Sequence, residues 1–229
     1  MITMKIRPPI KEINKCVRIP VGGLNLLGDL HIPEESTALV IFAYGSGRSR
    51  NNPRNRHTAQ VMRMHGLGTM MCELLSEDEE IEDEATEKFR NDAVLLAKRL
   101  VDVTHWVSRQ PETKHLSVGY FGVCAGGAAA VIAAARKNSK VEAVVSRGGR
   151  MDLAVKSLPH VKCPTLLIVG EKDTVGKELN REAMARLANT KQLVEIEGAT
   201  HLFGEPGKLD KMAELSAEWF REHLGNVKH

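Results

Sequence analysis

No apolar run in this sequence approaches the roughly 20 residues that a membrane-spanning helix needs, and Met1 to Lys15 lacks the uninterrupted apolar stretch of a secretory signal. The net charge is only +3, too mild to argue for nucleic acid or an anionic membrane as a partner. There is no internal repeat, no Pro-rich linker and no shift of composition that would mark a second domain, so residues 1–229 are expected to form one unit. The four cysteines, Cys16, Cys72, Cys124 and Cys163, form no C-x-x-C pair and have no histidine at zinc-ligand spacing. Scattered thiols in an untargeted chain point to a reducing cytoplasm and exclude a disulfide scaffold or a zinc site. Three of the four lie in apolar or β-branched runs and are expected in the core; only Cys124 has glycines around it.

What is present is a regular alternation. Short apolar runs at Val17–Pro20, Leu24–Ile32, Ala38–Tyr44, Gly68–Leu74, Ser117–Phe121, Val141–Ser146, Thr165–Gly170 and Gln192–Ile196 read as strands. The first two form a hairpin around Val21-Gly22-Gly23. From Ala38 onwards the runs are almost wholly apolar, as in parallel strands covered on both faces. Helical patterns fall between them at Arg54–His65, Asp92–Ser108, Ala125–Arg136, Asn180–Leu187 and Lys208–Leu224. The alternation predicts an α/β fold, a doubly wound, mostly parallel sheet of about eight strands. The acidic stretch Ser76 to Glu84 reads as a solvated loop and the first turn of the next helix, with a lid over a substrate pocket as the competing reading.

One segment carries chemistry. Ser117-Val118-Gly119-Tyr120-Phe121-Gly122-Val123-Cys124-Ala125-Gly126-Gly127-Ala128 places G-x-C-x-G between a strand and an Ala-rich helix. That is the setting of a nucleophile elbow, a sharp turn in which Gly122 and Gly126 let strand and helix approach. At a helix N-terminus, Cys124 feels the positive end of the dipole, which favours the thiolate. A buried cysteine on a Gly/Ala packing surface is the competing structural explanation. A base and an acid should follow in chain order, each after a late strand. Asp173 follows the Thr165–Gly170 strand and His201 follows Gln192–Ile196, which gives Cys124, Asp173 and His201 as a triad. The N–H of Ala125 is one candidate oxyanion donor; the second is expected from Ser46, or less well Gly45, after Ala38–Tyr44. Arg147, at the end of its strand, and the cluster Arg48, Arg50, Arg54 and Arg56 are candidates for recognising an acidic group on a substrate. Pairing with Glu77–Glu84, or plain solvation, would be their structural alternative.

These pieces, together with Phe42-Ala43-Tyr44-Gly45-Ser46-Gly47, Pro53-Arg54-Asn55-Arg56, Val145-Ser146-Arg147-Gly148-Gly149-Arg150 and Ala199-Thr200-His201-Leu202-Phe203, resemble the dienelactone hydrolase-like branch of the α/β-hydrolase superfamily from about Val17 to Leu224. The resemblance implies a hydrolase of carboxylic esters or lactones that works through this triad with no cofactor. A small-molecule substrate, no metal, and a monomer or homodimer are expected. The relatives it looks like usually carry serine at position 124, histidine at 44 and aspartate at 73. Cysteine at 124 is the choice of dienelactone hydrolases proper, and Tyr44 and Glu73 become candidate substrate-binding residues. Departures clustered at the site fit a redesigned active site and natural divergence equally. A diverged scaffold acting as a binder, or carrying a redox-active thiol, is the alternative to catalysis.

Overall fold

The computed structural model describes residues 11–45 and 49–225. Most of Met1–Lys15, with its reading as a chain start lacking a signal, lies outside the described residues, as do Ser46 and Arg48. Eight strands form one sheet in the order β1-β2-β4-β3-β5-β6-β7-β8. They are β1 (Ile13–Val21), β2 (Leu24–Ile32), β3 (Ala38–Tyr44), β4 (Gly68–Cys72), β5 (Ser117–Val123), β6 (Val141–Arg147), β7 (Thr165–Gly170) and β8 (Lys191–Ile196). The β1/β2 hairpin and the β2/β4 pairing are antiparallel, and every other pairing is parallel. Gly22 and Gly23 both have positive φ, +56° and +89°, the two-residue turn that matches the twist of a hairpin.

Among the described residues six α-helices cover the sheet: α1 (Pro53–Met64), α2 (Glu77–Thr86), α3 (Ala93–Val107), α4 (Ala125–Ala134), α5 (Thr174–Arg186) and α6 (Lys208–His223). Side chains alternate across each strand, so β3 sends Leu39, Ile41 and Ala43 to one face and Val40, Phe42 and Tyr44 to the other. The first set packs with α3, α4 and α5, the second with α1 and α6. This two-sided burial explains why the central strands lack polar alternation. The small residues of α4, from Ala125 to Ala130, are all buried and bring that helix close to β3 and β6.

Three expectations need correction. Cys16 is exposed, its thiol 3.2 Å from Asp29 Oδ1, because it sits on the open face of the edge strand β1; Cys72 and Cys163 are buried. The acidic stretch is a helix of its own, α2, and not a loop leading into α3. Ser76 caps it by accepting the Glu79 N–H, while the Glu79 carboxylate accepts the Ser76 N–H. Two of its acids are structural: Glu79 pairs with buried Arg99, and buried Asp83 holds Arg90 at 2.6 Å. α5 begins six residues earlier than expected, since Asp173 itself is its N-cap.

Glu79 serves both the cap and the Arg99 guanidinium, which also donates to the Leu74 carbonyl at 2.6 Å. Glu79→Ala should therefore cost about 3 kcal/mol by stranding a buried cation, against about 1 kcal/mol for Ser76→Ala. Urea denaturation of the two variants measures the difference, and equal losses would refute the role of the ion pair.

Candidate active site

Cys124 occupies the bend between β5 and α4 with φ +52° and ψ −121°, a region that side chains other than glycine rarely adopt. The bend is held from several directions. The Cys124 N–H donates to the Arg147 carbonyl at 3.3 Å, and its carbonyl accepts from the N–H groups of Gly127 and Arg150, both at 3.0 Å. A Cβ on Gly122 would stand 2.5 Å from the Gly126 carbonyl oxygen, and one on Gly126 would collide with the Ala43 carbonyl. Strand and helix therefore approach as closely as the glycine spacing suggests.

The partners arrive as the chain order requires. Cys124 Sγ lies 3.3 Å from His201 Nε2, and His201 Nδ1 lies 2.7 Å from Asp173 Oδ2. The other Asp173 oxygen accepts the Gly176 N–H at 3.0 Å, capping α5 and fixing the carboxylate. Gly148, at φ +54°, runs against the imidazole; a Cβ there would sit 2.9 Å from His201 Cε1. Burial opposes ionisation of the thiol, but the hydrogen bond from His201 and the charges of His201 and Arg147 outweigh it and hold the Cys124 pKa below its ordinary value. The Cys124 contact raises His201 to about 9, with burial working against it and Asp173 reinforcing it. Both shifts favour a thiolate–imidazolium pair.

The site opens into a cavity of about 400 Å³. Ala125 and Gly45 line it, and the Ala125 N–H stands at the first position of α4 beside the sulfur. Ser46 falls outside the described residues. Arg147, only 4% exposed, lines the cavity with no carboxylate in ion-pair range among the described residues, and its Nη2 approaches the His201 carbonyl at 3.5 Å. Its guanidinium lies 5.4 Å from the centre of the Phe203 ring, and burial lowers its pKa. Arg54, Arg90 and Arg150 complete a basic wall; Arg90 and Arg150 are paired with Asp83 and Asp152, while Arg54 forms no ion pair among the described residues. Arg50 instead binds Asp29 at 2.8 Å. The arginines that pair with the acidic helix are thus Arg90 and Arg99, neither of which was singled out.

Tyr44 borders the cavity, but its hydroxyl is sealed beneath the surface without a hydrogen-bond partner among the described residues, and burial pushes its pKa well above the ordinary value. Glu73 is a correction: it does not line this cavity. Its N–H bonds to the Leu27 carbonyl, which steers the chain along β2, and its carboxylate accepts the Arg50 N–H at 3.0 Å in a neighbouring depression. Cys72 ends β4, two strands from β5. That separation is roughly 10 Å, beyond the reach of a disulfide with Cys124, and burial pushes its thiol up to about 12. No group of described side chains is arranged to hold a metal ion, and no described helix is long and apolar enough to cross a membrane.

Comparison with known proteins fits this geometry. The sequence profile of the Dienelactone hydrolase family matches residues 51–224. The chain belongs to that family. A crystal structure of dienelactone hydrolase from Anabaena variabilis is 49% identical, with a TM-score of 0.90 over 93% of this chain and 99% of that one. Est1E from Butyrivibrio proteoclasticus shares the fold at 14% identity, with a TM-score of 0.76 over 90% of this chain and 98% of its own. A Mycobacterium tuberculosis protein with the provisional name phosphoribosyl transferase, from strain H37Rv, is 46% identical over 222 residues, 95% of this chain and 48% of that protein. This family member thus spans about half the length of that relative, and its eight-stranded sheet is the α/β-hydrolase fold.

Two outcomes test the electrostatics. Removing the imidazole in His201→Ala leaves burial opposed by Arg147 alone, so the pH midpoint for alkylation of Cys124 by iodoacetamide should move upward; an unmoved midpoint would refute the pair. Burial raises Glu73 from 4.5 to about 7, against the N–H of Arg50. The folded chain holds that proton more tightly than the unfolded one, so its contribution to stability is complete below about pH 4.5 and is lost as pH rises through about 7. Glu73→Gln should therefore stabilise the protein by about 1–3 kcal/mol at pH 8 and by little at pH 4, as read from denaturation midpoints.

Proposed function

We propose that this chain is a hydrolase of carboxylic esters or lactones, with Cys124 as nucleophile, His201 as general base and acid, and Asp173 as the group that orients the imidazole. The observation that carries the reading is the continuous relay from Sγ through both ring nitrogens to a fixed carboxylate, mounted on a strained elbow. A thiolate attacks the ester carbonyl carbon, and the carbonyl π pair moves onto oxygen. In this reading the Ala125 N–H, at the first position of α4, receives that developing charge. Collapse of the tetrahedral adduct breaks the bond to the leaving oxygen, which takes its proton from His201. A water molecule then loses a proton to His201 and attacks the thioester, releasing acid and thiolate.

Arg147 narrows the substrate class. A buried guanidinium without a counter-carboxylate is costly unless an anion reaches it, and beside it lie the thiolate and the open cavity. Substrates with a negatively charged group near the scissile bond satisfy it best, with Arg54 as a second cation at the wall. The transferase name of the relative is not carried over. This chain matches half of that protein, and within this half a thiol, an imidazole and a carboxylate converge, which suits acyl transfer.

Brief exposure to a p-nitrophenyl ester should leave an acyl mass on Cys124 and give a burst of nitrophenol, both lost in Cys124→Ala. Turnover unchanged in that variant would refute the assignment, and absence of adduct and turnover alike would leave a binding scaffold. Losing a hydrogen bond to a charged group costs about 1.5–3 kcal/mol, roughly 10- to 150-fold. Arg147→Gln should lower kcat/KM by that factor for an anionic ester and much less for its neutral analogue; equal losses would assign Arg147 to the thiolate alone.

A further inference from the structure

A second cavity, of about 480 Å³, opens at the other end of the sheet. Its floor continues β5 backwards: Leu116, Val118 and Tyr120 lie on one face of the strand at alternate positions. From Leu116 to Cys124 the chain runs eight residues. At about 3.3 Å each, that is roughly 25 Å of strand, although the nearest lining residues of the two cavities on β5, Tyr120 and Val123, are only about 10 Å apart along it. The polar atoms of the floor are satisfied from within, since the Tyr120 hydroxyl and Thr104 Oγ1 lie 2.6 Å apart and Thr113 Oγ1 donates to the Val107 carbonyl at 2.5 Å. What the floor offers a ligand is therefore hydrocarbon.

The rim differs. Lys114, Arg136, Lys137 and Lys140 surround it, all exposed and none in an ion pair among the described residues. Opposing them are Glu142 and the C-terminal ends of α3 and α4, each worth about half a negative charge. The surplus is about two positive charges over an apolar floor, in a concavity within the usual size range for small-molecule sites.

We propose that this cavity is a second binding site for a small amphipathic anion, an aryl or acyl body carrying a carboxylate or sulfonate head. The body lies on Leu116, Val118 and Tyr120, and the head meets Arg136, Lys137 and Lys140. The site is independent of the chemistry at Cys124.

The probe is 8-anilinonaphthalene-1-sulfonate, followed by fluorescence, with decanoate as a competing acyl carboxylate. The wild-type protein should bind the sulfonate at one site that decanoate displaces. The triple variant Arg136→Glu, Lys137→Glu, Lys140→Glu changes only exposed side chains and should raise Kd by about tenfold or more, while its melting temperature reports that it remains folded. Carboxymethylation of Cys124 should leave Kd unchanged, and uncharged N-phenyl-1-naphthylamine should bind more weakly than the sulfonate. No binding to the wild type, a smaller rise in the variant, failure of decanoate to displace, loss of binding on carboxymethylation, or equally tight binding of the uncharged amine would overturn the proposal.

Discussion

The contact between Cys124 Sγ and His201 Nε2 depends on a backbone held where side chains are normally unwelcome. A residue in that conformation costs on the order of 1–3 kcal/mol, and the fold supplies the restraint from both sides. Gly122 and Gly126 remove the steric barrier to a tight strand–helix bend, while Arg147, Gly127 and Arg150 hold both backbone groups of Cys124 in hydrogen bonds. The thiol then emerges at the start of α4, facing the loop that follows β8. Without the bend, sulfur and imidazole would belong to separate parts of the sheet edge.

The electrostatics follow from that placement. Burial by itself makes a thiol resist ionisation, and it pushes buried Cys72 up to about 12 and buried Cys163 up to about 11, while Cys124 is half-buried. The difference lies in neighbours: Cys124 alone among the three has an imidazole in hydrogen-bond contact and an unneutralised guanidinium nearby. Arg147 thus lies both beside the Cys124 sulfur and on the wall of the open cavity. It is held by position, at the end of β6 and against the Phe203 ring, and by no carboxylate among the described residues.

Most of this architecture was legible in residue order. The apolar runs located all eight strands, with ends displaced by at most a few residues, because two-sided burial leaves a strong signal. Cys124, Asp173 and His201 could be grouped from sequence because each follows a strand in the order of an elbow fold, and the structure brings their side chains into contact. Helix α2 was missed although Ser76 and Glu79 spell a capping box; a dense run of acids masked the point that two of them answer arginines distant in sequence. Glu73 was misplaced because a residue just past a strand end turns either way, and only the bond to Leu27 decides which. The solitude of Arg147 was equally hidden, since the absence of a nearby carboxylate is a property of three dimensions.

Asp173 touches the imidazole with one oxygen and the opening turn of α5 with the other. Asn180, one turn further along that helix and fully buried, donates to the carbonyls of Gly176 and Gly149. The ring's tilt is thereby geared to the seating of a whole helix. A change in how α5 rests on its neighbours would be transmitted to the imidazole without altering a single residue that lines the cavity.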